Sequence, residues 1–195
     1  MFQKFIFIIT FISLLFSNIN SKTRNEEGGN DKTNISEVRE LFYRAVESES
    51  SLDSLEVYLK DKSYEGSEEK DALLTAYAGA AESLKAKYAF WPFSKLSYLK
   101  SGVKIMTDAV KKSPDNLEVR FLRFSVLHHV PGFLGYGDLL RADADKIVAL
   151  LSESRHQNED IKLRNNVAEF MIKSGRLSGE MREKLLKEYM TADSK

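Results

Sequence analysis

From residue 36 onward the apolar residues return every third or fourth position almost without interruption, the spacing of helices that each bury one face. Val38, Leu41, Phe42 and Ala45 form one stripe and Leu52, Leu55 and Leu59 a second, with a serine-rich turn expected around Ser48 to Ser51. Ser67 followed by Glu68 and Glu69 predicts a capped helix start, its acids standing against the positive end of the helix dipole. Leu73, Tyr77, Ala80, Ala81 and Leu84 supply the apolar face of that helix, and Leu96, Leu99, Val103, Met106 and Val110 that of the next, which Pro114 ends. Asp115 and Glu118 read as a capping box ahead of Val119, Leu122 and Val126, with Pro131 closing the segment. Asp138 is placed to cap a helix through Leu140, Ala144, Ile147, Val148 and Leu151. Leu163, Val167, Phe170 and Met171 lead to Gly175, expected as a left-handed terminator. Ser178 then opens a last helix bearing Met181, Leu185, Leu186 and Tyr189. No segment alternates apolar and polar residues with β-branched enrichment, so the expected class is all-α. About eight helices with short connections favour antiparallel neighbours, and hairpin units of roughly 35 to 45 residues favour stacking.

Ahead of the helical region, Lys4 leads the apolar run Phe5 to Phe16, which the polar residues Ser17 to Lys22 cut short. That is the pattern of a secretory signal peptide over residues 1–21. A bilayer span takes roughly 20 apolar residues, so an uncleaved anchor is the lesser alternative. Cleavage is expected near Ser21, or nearer Ser17 because Ile19 stands where a small residue is preferred. Residues 22–35 are expected to form a flexible tether and 36–195 a single helical domain, because 22–34 carry no large apolar side chain to offset ordering. Asn34-Ile35-Ser36 fits a glycosylation acceptor, a pattern that matters only in a eukaryotic secretory host.

The chain has no cysteine, which removes disulfides, thiolate metal sites, a catalytic thiol and a lipid-modified cysteine. Basic and acidic residues number 29 each; loss of Lys4 with the leader leaves 28 against 29, a formal charge of −1. That balance, with the charges interleaved along the helices, carries no nucleic-acid footprint.

The segment Tyr98 to Asn116, with small Gly102, bulky Met106, small Ala109 and helix-ending Pro114, resembles the second helix and exit of a tetratricopeptide repeat. Small side chains at such positions let helices approach closely while the bulky one fills the groove between them. Tyr77-Ala78-Gly79-Ala80-Ala81 with Leu84 looks like the first helix of the same repeat. The connection Lys87 to Lys95 is longer than the tight turn such repeats use, and from Leu117 onward Arg120 and Arg123 replace the family's usual core residues. The resemblance implies stacked hairpins in a right-handed superhelix. Tyr88 to Lys146, with Arg120-Phe-Leu-Arg-Phe124 and Phe133-Leu-Gly-Tyr-Gly137, also resembles exported bacterial helical proteins related to tetratricopeptide-like families, which implies an envelope or secreted location and no particular activity.

Two aromatic-rich segments interrupt the stripes, Tyr88 to Phe93 and His128 to Gly137. As loops at one end of stacked hairpins they are candidate binding anchors; the other reading has them fold back and plug the end of the core. Arg120 and Arg123 stand one turn apart on a mostly apolar helix. They either grip a carboxylate or acidic peptide terminus, as guanidinium forks do, or pair with acids of neighbouring helices. His128 and His129 are adjacent, so on a helix their side chains diverge by about 100 degrees and do not share one ion in regular geometry. His156 sits among polar residues. Gly132, Gly135 and Gly137 follow a proline rather than a strand, unlike a phosphate-binding loop.

The expectation from sequence is an exported helical-repeat scaffold, without enzymatic activity and without cofactor or metal. It would hold a peptide, protein partner or small ligand in a helical groove through Trp91, Phe93, Arg120, Arg123, Phe133 and Tyr136. Two alternatives stand beside it: a transporter accessory carrying an apolar small molecule against Phe90, Trp91 and Phe133, and a metal-dependent hydrolase using His129 with Asp138 or Asp143.

Overall fold

A computed structural model of the chain describes residues 35–62, 68–153 and 160–190. The expected leader, the tether, the glycosylation asparagine Asn34, the Ser67 cap and His156 lie outside the described residues. Among those residues the secondary structure is entirely helical, with eight α-helices. The chain divides into two compact units between Pro114 and Asp115, where the hydrophobic pattern alone suggests one domain from residue 36. A run of helices at one period carries no mark of which neighbours pack together.

The first unit contains α1 (Ile35–Glu47), α2 (Glu49–Lys62), α3 (Glu68–Tyr88) and α4 (Pro92–Lys112). Its helices pair antiparallel. Tyr58 near the end of α2 donates to the Glu37 carboxylate near the start of α1 at 2.8 Å, and Lys112 at the end of α4 meets Asp71 near the start of α3 at 2.7 Å. Ser48 alone separates α1 from α2, so Ser50 and Ser51, expected in a turn, are helical. Val38, Phe42, Ala45 and Val46 of α1 are buried with Leu52, Leu55 and Leu59 of α2, and Phe42 meets Tyr77 of α3 edge to face, ring centres 5.5 Å apart.

The most extensive contact is between α3 and α4, each about 30 Å long at 1.5 Å per residue. The buried positions of α3 are Ala72, Leu74, Ala76, Tyr77, Gly79, Ala80, Ala81, Ser83, Leu84 and Ala86, mostly small residues on a face wider than a single stripe. A methyl group built on Gly79 would stand 2.8 Å from the carbonyl oxygen of Gly102 and 2.9 Å from the amide nitrogen of Met106. One built on Gly102 would lie 2.7 Å from the Ser83 nitrogen and would run into the Gly79 carbonyl and the Ser83 hydroxyl. The two backbones therefore touch at this crossing, and no side chain larger than hydrogen fits at either position.

The second unit contains α5 (Leu117–His128), a short 3₁₀ turn (Gly132–Leu134), α6 (Gly137–Glu153), α7 (Ile161–Lys173), α8 (Gly179–Leu185) and a terminal π turn (Leu186–Met190). Helix α5 is capped by Asn116, whose side chain accepts from the Val119 amide at 3.0 Å. The cap expected on Asp115 thus falls one residue later, and with Val119 three residues on it is a simple cap rather than the expected box. Glu118 is buried, and Asp115 pairs with Lys146 of α6 at 2.6 Å. Nearly every position of α5 is buried, and Phe121 and Phe124 meet Phe170 of α7 edge to face. Gly175 terminates α7 at φ +66°, and Ser178 caps α8 by accepting from Met181, as the sequence predicts. Arg164 of α7 donates to the Leu151 carbonyl at 2.6 Å and to the Tyr189 hydroxyl at 3.0 Å, and Tyr189 also donates to Leu151. A guanidinium set against the last turns of α6 answers both its unpaired carbonyls and the negative end of its dipole.

The glycine crossing yields a sharp expectation. Gly102→Ala should destabilise the protein by about 2–3 kcal/mol in denaturant unfolding, although alanine is the better helix former by about 1 kcal/mol. Combining it with Ser83→Ala removes the hydroxyl but leaves the Gly79 carbonyl in place, so only part of that loss should return. A Gly102→Ala protein as stable as the parent would show that the helices are not in backbone contact.

Candidate functional site

The α3–α4 connection is only Ala89, Phe90 and Trp91. The Lys87 to Lys95 segment, expected as a long loop, is almost all helix: α3 runs through Tyr88, and Pro92 begins α4 at the first-turn position where its missing N–H costs nothing. The Trp91 backbone is extended at φ −83° and ψ 136°, and its carbonyl accepts from Lys95 at 3.0 Å. Below the turn, the Tyr88 hydroxyl donates to the Ala45 carbonyl at 2.8 Å, and the Lys87 ammonium donates to the Val46 carbonyl, fastening the end of α3 to the end of α1.

The turn leaves its aromatic rings in solvent. Phe90 is 82 % exposed, Trp91 66 % and Phe93 88 %, with Phe90 and Trp91 edge to face at 5.2 Å. Plugging of the core, the alternative reading of these rings, is not what the structure shows. In the second unit Phe133 is likewise 83 % exposed, on a turn that Gly135 closes at φ +82°, while Tyr136 is half-buried and its carbonyl accepts from Leu140 at the start of α6. Trp91 and Phe93 thus belong to one unit and Phe133 and Tyr136 to the other.

Arg120 and Arg123 have a partner within their own unit. Asp143 of α6 is fully buried and accepts two hydrogen bonds from Arg123, Nε to Oδ2 at 2.8 Å and Nη2 to Oδ1 at 2.7 Å. Arg120 adds a third, Nη1 to Oδ1 at 3.0 Å. Of the two readings of these arginines, the structure shows the pairing with an acid of a neighbouring helix rather than a grip left open for an outside carboxylate, and Arg123 is itself buried. The sequence signal for the pairing was present: Asp143 stands three after Leu140 and four before Ile147, on the apolar stripe of α6. Arg164 and its carbonyl partners had no comparable signal, since its anchors lie on the backbone of another helix.

His128 and His129 close α5 as a pair of neutral imidazoles. His128 stacks on Phe124 at 6.1 Å, and its Nδ1 accepts from Arg176 Nε at 3.2 Å. Burial, and secondarily the Arg176 charge, push its pKa down to about 4; burial, then His128 and Arg176, push that of His129 down to about 3. Among the described residues no group of three or more His, Asp or Glu side chains is arranged to hold a metal ion. Asp143, one of the two acids the hydrolase reading pairs with His129, is committed to two arginines, and Asp138 pairs with Arg141 at 2.8 Å.

Two outcomes follow from this chemistry. Asp143→Asn leaves Arg123 buried without its counter-charge and should cost about 3–5 kcal/mol in urea unfolding. The histidines act through pH. Each has a folded-state pKa below the ordinary value near 6.5, so the unfolded chain binds more protons and stability falls as pH drops from about 6.5 to about 4. A His128→Gln/His129→Gln protein should show a shallower fall in melting temperature over that window; an unchanged slope would mean the imidazoles are not held neutral. Comparison with protein-family models, with curated proteins and with solved structures finds no match to this chain, so its function is read from its own geometry.

Proposed function

We propose that the protein is an exported helical scaffold, related to the tetratricopeptide-like hairpins it resembles, that works by attachment rather than by chemistry. Its task is to hold another component of the cell envelope against the tip of the α3–α4 hairpin. The observation that carries this reading is the exposure of Phe90 and Trp91 on a three-residue turn, and of Phe93 in the first turn of α4, between two long, tightly crossed helices. A contiguous apolar patch on an otherwise charged surface marks an interaction site, and aromatic rings give large contact area at little rotamer cost. Export is supported by the Lys4 and Phe5 to Phe16 pattern.

The other readings find less to stand on. A carrier pocket lined by Phe90, Trp91 and Phe133 would need residues of both units, and neither unit by itself brings the three together. A hydrolase on His129 would need an acid beside it, and the buried Asp143 is held by two arginines.

The test separates folding from attachment. Trp91→Ala/Phe93→Ala removes only exposed side chains and should keep its helical circular dichroism and melting temperature. The same protein should need at least about tenfold more membrane-envelope fraction for half-maximal binding, the loss expected when anchor residues are truncated. Undiminished attachment by a folded double variant would remove the tip from the mechanism.

A further inference from the structure

Phe90, Trp91, Pro92 and Phe93 are four consecutive exposed residues. Along the sequence on either side of them the charge is one-sided. From Ser83 to Thr107 the chain carries Lys85, Lys87, Lys95, Lys100 and Lys104, and not one Asp or Glu. We propose that this hairpin tip docks on an anionic phospholipid surface, its aromatic rings entering the interface while Lys95 and Lys100, with the carbonyl-bound Lys87, supply positive charge near the head groups. The proposal rests on the attachment reading above and names the partner.

The composition of the tip fits a lipid interface. Tryptophan and other amphipathic rings concentrate at the level of the head groups, and lysines gain from the negative surface potential just above it. The lysines are placed for this. Lys95 lies within about one helical turn of Pro92, and Lys100 about 12 Å along α4, close to the Debye length at which such attraction fades. Lys87 donates to a neutral carbonyl, that of Val46, so its charge is not cancelled there. Lys85 is different, being engaged by Glu56 and Glu82. Lys100 is exposed and Lys95 half-exposed.

Shape favours lipid over a folded protein partner. A stable protein interface takes roughly 800 Å² and 20–30 residues from each side, with a rim that keeps water from its anchors. Here the apolar group is four exposed residues spanning the turn and the start of α4, and a fluid interface can close around it. The charge preference should be moderate, because Glu47 and Glu49 of the α1–α2 turn are exposed and close enough to act on Tyr88.

Trp91 is the sole tryptophan of the chain, so its fluorescence reports on the tip alone, whatever the apolar Phe5 to Phe16 segment does. The full chain is titrated with vesicles of phosphatidylcholine and phosphatidylglycerol in equal parts, and with phosphatidylcholine alone. Emission should move to shorter wavelength on the anionic vesicles and be quenched by brominated acyl chains. Phe90→Ser/Phe93→Ser, which keeps the reporter, should raise the lipid needed by about tenfold or more. Lys95→Gln/Lys100→Gln should narrow the preference for anionic lipid by about tenfold and leave the response to neutral vesicles unchanged. Unshifted Trp91 emission on anionic vesicles, or equal response to both compositions, overturns the proposal. If emission is unshifted while tip-dependent binding to envelope fraction persists and is abolished by proteolysis of that fraction, the partner is a protein: the lipid assignment falls and the attachment reading stands. Loss of tip dependence in the envelope assay, by contrast, removes the attachment reading itself.

Discussion

Gly79 and Gly102 meet where α3 crosses α4, and the geometry of the first unit follows from how near they bring the two backbones. Glycine in the middle of a helix costs about 1 kcal/mol against alanine, so the pair is unfavourable until contact between the helices offsets it. Alanines at 72, 76, 80, 81 and 86 continue the thin face along α3, and Met106 fills the space beside Gly79. The seam is therefore closed along its length, with Asp71 and Lys112 paired across one end and a three-residue turn at the other. The rings of Phe90, Trp91 and Phe93 stay outside it.

The second unit fixes its register by charge rather than by shape. Asp143 enters the α5–α6 contact as a buried anion held by Arg123 in a two-bond fork and by Arg120 from one turn away. Such a cluster adds little net stability, because desolvation consumes most of the Coulombic gain. Its effect lies in what it forbids. Sliding α6 along α5 by one turn would strand a carboxylate and a buried guanidinium apart, a far larger penalty than repacking aliphatic side chains. Lys146 on Asp115 repeats the same register nearer the start of α5. Arg164 does comparable work on the backbone, tying α7 and Tyr189 to the end of α6.

The helices were legible in the sequence because a period near 3.6 is a local property, and so were the stops at Pro114 and Gly175 and the cap at Ser178. Boundaries were less legible where two signals compete. Asn116 takes the cap of α5 from Asp115 because it stands immediately before the first helical residue, and Ser50 and Ser51 are absorbed into α2 after the single-residue break at Ser48. The aromatic segment around Trp91 looks like a loop because rings cluster there, yet Pro92 is well placed as a helix start and leaves only three residues to turn. Side-chain pairing was legible in kind and not in outcome. Two arginines on an apolar helix require an anion, and only the fold shows that Asp143 supplies it.

Exposure of the tip rings carries a cost that most large apolar side chains among the described residues avoid, being at least half-buried. A flexible loop with the same residues would collapse onto the nearest apolar surface and hide them. Here the turn is too short to fold back, Pro92 fixes its exit, and Tyr88 and Lys87 bind the end of α3 to the Ala45 and Val46 carbonyls. The rings are thus held in one geometry, so the attachment proposed above would need to freeze little more than side-chain torsions. Rigidity of this kind contributes nothing to a solvated surface. It would serve the proposed attachment, in which those rings leave water on binding while the crossed helices hold the hairpin that carries them.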